Sequence, residues 1–210
     1  MELFQSIRQN TLGISIFAIV TAGLIAITQV STKERIATNE REQEAKALHE
    51  IIPAKSIDND LLHDTLLIPA PTLGYSQARI YQAHKAGQVS AVIIPVIAPD
   101  GYSGDISLIV GINAKGIIEG VRVLSHKETP GLGDKIDLKK SPWVLSFNGK
   151  SLKDDNDPAW AVKKEGGDFD QFTGATITPR AVINAVARAV RFFELNKSTL
   201  LIKTHPAEAS

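Results

Sequence analysis

The sequence predicts an α+β protein: an N-terminal transmembrane helix and helical stalk, then a domain with a mainly antiparallel sheet flanked by helices. Three observations carry that expectation. Residues 9–32 hold no charged side chain. Several β-prone runs between positions 76 and 124 follow one another through short turns. A stretch with helical apolar periodicity follows Thr178.

The uncharged run comes first. Residues 11–30 read TLGISIFAIVTAGLIAITQV. A helix of about 20 residues rises about 30 Å, the thickness of a bilayer's hydrocarbon core. A cleaved signal peptide is the rival reading. The run is long for a signal-peptide core, and no clear A-x-A site precedes Lys33. Both points favour an uncleaved single span at 11–30, after a short tail at 1–10. Arg8 lies before the span; Lys33, Arg35 and Arg41 follow it, mixed with Glu34, Glu40 and Glu42. Charge counting therefore leaves the orientation open.

Residues 31–53 are rich in charge and good helix formers, and Pro53 ends them. They read as a solvated helical stalk. A folded domain is expected at 54–197 and a tail at 198–210. Within the domain, residues 55–73 contain Pro69 and Pro71 and read as loop or short turns. Strands are expected at 76–84, 89–98, 105–112 and 117–124. Pro95 points to an edge position or a bulge in the second of these. Asn113-Ala114-Lys115-Gly116 is a good hairpin connection between the last two. Ser141-Pro142 resembles an N-cap with proline at the first helical position, opening a short helix with Trp143, Leu145 and Phe147. Residues 153–157 read as a polar turn. Thr178-Pro179 repeats the N-cap signal, and the helix after it is expected to run to about Leu195. Val182, Ala185, Val186, Ala189, Val190 and Phe193 fall on its apolar face, with Arg180, Asn184, Arg188 and Arg191 opposite.

Composition narrows the function. The 210 residues include 23 basic and 23 acidic side chains, so net charge gives no reason to expect nucleic acid as a partner. Cysteine is absent, which removes disulfides, thiol redox chemistry and cysteine-ligated iron–sulfur clusters. Five scattered histidines show no close helical pairing of the kind that holds a metal.

Two stretches stand apart from ordinary domain sequence. Asp170-Gln171-Phe172-Thr173-Gly174-Ala175-Thr176 runs into the C-terminal helix. Its small residues permit a bulky group close to the backbone, and free N–H groups at a helix start favour phosphate. Thr176 offers a hydroxyl there. The second stretch, His126-Lys127-Glu128-Thr129-Pro130-Gly131-Leu132-Gly133-Asp134-Lys135, follows a strand. Its proline and glycines make a stiff loop able to lie against a flat ring. The turn Gly101-Tyr102-Ser103-Gly104 has the same character. On these grounds alone, a plain helix cap and connecting loops remain equally open.

These motifs, in this order, resemble the FMN-binding domain family. That domain is shared by the G protein of the Rnf-type ion-translocating electron transport complex (RnfG) and by its longer counterpart in the sodium-pumping NADH:quinone reductase. The resemblance covers nearly the whole chain, and the compact length is more similar to RnfG. It implies that a flavin transferase recognises Asp170, Thr173, Gly174 and Ala175 and joins FMN to Thr176 by a phosphoester. It further implies that Glu128, Thr129, Pro130, Gly131 and Leu132 line the flavin, with Gly101 to Gly104 a weaker assignment. The cofactor would be covalent FMN and the partners other membrane subunits of one complex. The domain would lie outside the cytoplasm, on the periplasmic side of a bacterial inner membrane. Two readings compete: a cofactor-free membrane-anchored scaffold, and an enzyme using Thr176 as nucleophile. The enzyme needs an adjacent base, and Asp170 has no clear histidine partner.

Overall fold

The computed structural model describes residues 2–154 and 157–202. The chain forms two compact units, Met1–Glu44 and Ala45–Ser210.

A single helix, α1 (Glu2–Ile51), supplies the whole of the first unit and the start of the second. Its stretch Asn10–Lys33 is long and apolar enough to cross a membrane. Ile14, Phe17, Ile19, Leu24 and Ile27 there are all exposed. The threonines in this stretch satisfy their own hydroxyls. Thr21 donates to the Phe17 carbonyl and Thr28 to the Leu24 carbonyl, both at 2.8 Å. Such internal bonding is what hydrocarbon requires of a polar side chain.

The second unit is built on a five-stranded antiparallel meander in the order β1-β2-β3-β4-β5. The strands are β1 (Thr65–Ala70), β2 (Tyr75–Lys85), β3 (Gln88–Ala98), β4 (Ile106–Asn113) and β5 (Ile118–Ser125). Helix α2 (Ile177–Leu200) packs on the sheet with β3 and β4 as its main contacts. Alternation along each strand sends side chains to opposite faces. Val92, Ile94, Leu108 and Val110 join the α2 side of the core. Tyr81, Ala83, Ala91, Ile93 and Ile109 point the other way, where Leu48, Ile51, Ile52 and Leu61 cover them. All six residues of the expected apolar face of α2 are buried.

Four local expectations change. β1 occupies part of what reads as loop. Its prolines mask it, yet β1 is an edge strand, and an edge tolerates Pro69 because one side of the ladder is unpaired. β3 is the central strand, but the register between β2 and β3 ends at Tyr81↔Ile93. Pro95 lies past that point, paired with Ile109 of β4 alone, so its position is a local edge without a bulge. α2 begins before Thr178 and carries Thr176 at its N-cap position. Thr178 does not cap; its hydroxyl bonds to a carboxylate on another loop. The helix also runs past Leu195 to Leu200, since Gln82 on β2 reaches its last turn. The fully buried Gln82 amide donates to the carbonyls of Leu200 and Ile202 at 2.8 and 2.9 Å. The expected tail at 198–210 thus begins as helix, and beyond 202 it lies outside the described residues, as does part of the turn at 153–157.

The Ser141-Pro142 signal forms as expected. Ser141 Oγ accepts from the Trp143 N–H at 3.2 Å and opens a 3₁₀ turn, Pro142–Phe147. Trp143, Phe147, Phe169 and Phe172 then pack ring against ring beneath the segment that leads to α2.

Candidate functional site

The two motif stretches and the Gly101–Gly104 turn converge on one cavity of about 390 Å³. Roughly 300–1,000 Å³ is usual for a small organic ligand. Its walls come from Tyr102, from Glu128, Thr129, Leu132 and Gly133, and from the run Gly174 to Thr178.

The segment before α2 is anchored from below. Phe172 is buried and meets Trp143 edge to face, with ring centroids 5.1 Å apart. Trp143 Nε1 donates to the Asp170 carbonyl at 2.7 Å. Gly174 turns the chain with φ +81°, a conformation that favours glycine, and the Ala175 N–H returns to the Phe172 carbonyl at 3.2 Å. The result is a tight turn held at Phe172 that leaves Thr173, Gly174 and Thr176 exposed. Thr176 makes no side-chain capping bond, so its hydroxyl is uncommitted. Ile177 and Thr178 stand in the first turn of α2, where N–H groups have no intrahelical acceptor. Both line the cavity.

The opposite wall braces itself. The Thr129 carbonyl accepts from the N–H groups of Leu132 and Gly133 at 3.1 and 3.2 Å. Gly131, at φ +78°, donates to Asp134 Oδ1 at 2.8 Å. Glu128 is 4% exposed and ties three segments together. Its Oε1 accepts from the Ser103 N–H at 2.8 Å, and its Oε2 accepts from the Thr178 hydroxyl. A β-carbon at Gly133 would lie 2.8 Å from Glu128 Oε2 and 2.9 Å from Thr178 Oγ1, so no side chain fits there. Leu132 reaches across to the other wall, 3.4 Å from where a β-carbon on Gly174 would stand.

The expected site residues therefore divide. Glu128, Thr129, Leu132, Gly174, Ala175 and Thr176 line the cavity. Pro130 and Gly131 shape the loop without lining it. Thr173 is exposed on the turn. The Asp170 carboxylate pairs with Lys163 at 2.7 Å, and both side chains are largely exposed. Just before it, Asp168 bonds Lys150 at 2.8 Å, and that ammonium holds its carboxyl below the usual carboxylate range. Gly133, Ile177 and Thr178 line the cavity and were not anticipated as lining residues. The cap signal at Thr178-Pro179 concealed the second of the two threonines.

Residues 101–191 match the model of the FMN-binding domain, and residues 1–51 match that of the RnfG N-terminal region. A relative from Pseudomonas aeruginosa (strain UCBPP-PA14), named as the G subunit of an ion-translocating oxidoreductase complex, is 51% identical over 208 residues. The alignment covers 98% of this chain and 96% of that one. The chain belongs to the RnfG family. Other proteins of the same name are similar across nearly the same extent. Those of Pseudoalteromonas atlantica and Vibrio vulnificus are 49% and 47% identical, with 92% and 95% of their lengths covered. The FMN-binding match spans the Tyr102 turn, the Glu128 loop and the start of α2, which are the three walls of the cavity. The cavity fits such a cofactor on the structure's own terms. It has a flat-ring-sized space, glycine at the closest approach, and a helix N-terminus beside a free hydroxyl.

Proposed function

We propose that this RnfG protein carries FMN as a phosphoester on Thr176 and passes electrons between other members of a membrane complex. The observation that carries the reading is the placement of Thr176. Its exposed, uncommitted hydroxyl lies on the cavity wall, at the amino end of α2. A phosphate there would meet the unpaired N–H groups of Ile177 and Thr178 and the positive end of the helix dipole. The isoalloxazine ring would lie toward Glu128, Thr129 and Leu132. Flavin supplies one- and two-electron chemistry, while the protein supplies position and electrostatics.

Electron passage between fixed centres needs no general acid or base, and this site offers no nucleophile–base pair around Thr176. The span Asn10–Lys33 anchors the chain. By family likeness, the flavin domain faces the periplasm, a flavin transferase reads the turn from Asp170 to Thr176, and the complex couples electron transfer between ferredoxin and NAD to ion movement. A covalent tie suits a compartment where a lost cofactor is not replaced.

Co-expression with a flavin transferase tests the attachment. The wild-type band on a denaturing gel fluoresces under ultraviolet light, and the Thr176→Ala band is dark. Two dark bands beside an active transferase would instead favour a cofactor-free scaffold. Two bright bands would place the flavin on another residue.

A further inference from the structure

We propose that the buried carboxylate of Glu128 sets the reduction potential of the flavin, with Thr178 as its positioning residue; this rests on the FMN reading above. Glu128 is the one carboxylate among the residues lining the cavity, and no lysine or arginine lines it among the described residues. Both of its oxygens act as acceptors, from the Ser103 N–H and the Thr178 hydroxyl, the pattern of an ionised carboxylate. No cation pairs with it among the described residues. Its charge is therefore tempered only by two neutral donors, in a site that excludes most water.

Such a charge acts on whatever gains electrons beside it. The oxidised flavin takes two electrons and one proton to give an anionic reduced ring. A fixed negative charge nearby opposes that gain, and opposes it more in a low-dielectric site. Glu128 thus holds the potential low. Thr178 tempers the charge by donating to Oε2, and the missing side chain at Gly133 leaves room for this pairing. Removing the charge and removing its donor then have opposite effects. That sign difference separates an electrostatic role from a structural one, because a loosened pocket shifts the potential the same way in both variants.

The test uses the full-length chain, loaded by co-expression with a flavin transferase and held in detergent. Dithionite supplies the electrons in a mediated titration at pH 7, and visible flavin absorbance reports the oxidised fraction. The same samples are read on a denaturing gel. Glu128→Gln is expected to favour the reduced form at least tenfold, about 30 mV more positive for a two-electron couple. Thr178→Val, which keeps the charge and removes its donor, is expected to move the potential in the negative direction. An unshifted or more negative Glu128→Gln overturns the proposal, as do two variants that shift alike. A folded Glu128→Gln chain that takes no flavin also overturns it, since the carboxylate then serves loading. Should Glu128→Gln not fold, Thr178→Val decides: a negative shift supports the proposal, and no shift or a positive one overturns it. A dark wild-type band would instead sink the FMN reading itself.

Discussion

Ile51 fills the space that a side chain at Gly111 would need. A β-carbon built on Gly111 would lie 2.3 Å from Ile51 Cγ2. Gly111 pairs directly with Gly120 on β5, where a β-carbon would come within 3.4 Å of the same methyl. The two glycines make a hollow in the sheet, and the last turn of α1 seats a branched side chain in it. Arg122 secures the joint, its Nε 2.9 Å from Glu50 Oε2 and its Nη2 3.1 Å from the Glu50 carbonyl. Gly111→Ala is expected to lower stability by about 1–3 kcal/mol through overpacking. Ile51→Ala is expected to cost about 2–5 kcal/mol through the cavity it leaves. The double variant should cost less than the sum, with a coupling of about 0.5–3 kcal/mol. Thermal unfolding of the detergent-solubilised chain measures all three. Additive losses would mean that the two residues are not one joint.

Gln82 gives the second prediction. It is fully buried, and its amide nitrogen holds the carbonyls at the end of α2. Gln82→Leu keeps the bulk but leaves those acceptors without that donor, at about 1–3 kcal/mol. Gln82→Glu is expected to be worse at pH 7, because it sets a buried carboxylate against two carbonyl oxygens. A Gln82→Glu chain as stable as Gln82→Leu would show that water reaches this end of the helix.

The contrast between these residues explains what the sequence made legible. The span, four strands, the hairpin at Asn113 to Gly116 and the apolar face of α2 rest on local patterns of charge, alternation and periodicity. Those patterns survive without knowledge of neighbours. β1 did not, because Pro69 and Pro71 suggest a loop unless the strand is known to lie at an edge. The hollow at Gly111 and the reach of Gln82 pair residues far apart in the chain, and no local pattern records such a partnership. The candidate site was half visible. Two motifs flagged the walls, but which residues face inward depends on the turn at Gly174 and on the Glu128–Thr178 bond. That bond joins positions 50 residues apart. It also explains why a threonine that reads as a helix cap serves a carboxylate instead.

Two threonine hydroxyls on one cavity wall give the third prediction. Thr176 is exposed and makes no capping bond; Thr178 is buried and donates to Glu128. The flavin should therefore attach to Thr176 alone. Thr176→Ser is expected to retain a fluorescent band on a denaturing gel, since it keeps the hydroxyl in place. Thr176→Ala is expected to be dark with Thr178 intact. Peptide mapping of the wild-type chain should find the flavin mass on the fragment containing Thr176. A flavin found on Thr178 would mean that the Glu128 bond opens during attachment.

The membrane span gives the last prediction. Val20 and Leu24 lie near the middle of Asn10–Lys33, one helical turn apart. An arginine at the centre of a span costs about 2.5–3.5 kcal/mol to insert. A run of apolar residues can absorb one such cost, as each leucine or isoleucine returns only a few tenths of a kcal/mol. Two arginines on the same face should exceed it. Leu24→Arg alone is expected to leave most of the chain resistant to alkaline carbonate extraction. Val20→Arg combined with Leu24→Arg should release it to the soluble or aggregated fraction, and Val20→Ala with Leu24→Ala should not. Carbonate resistance of the doubly charged chain would place the anchor elsewhere in the molecule.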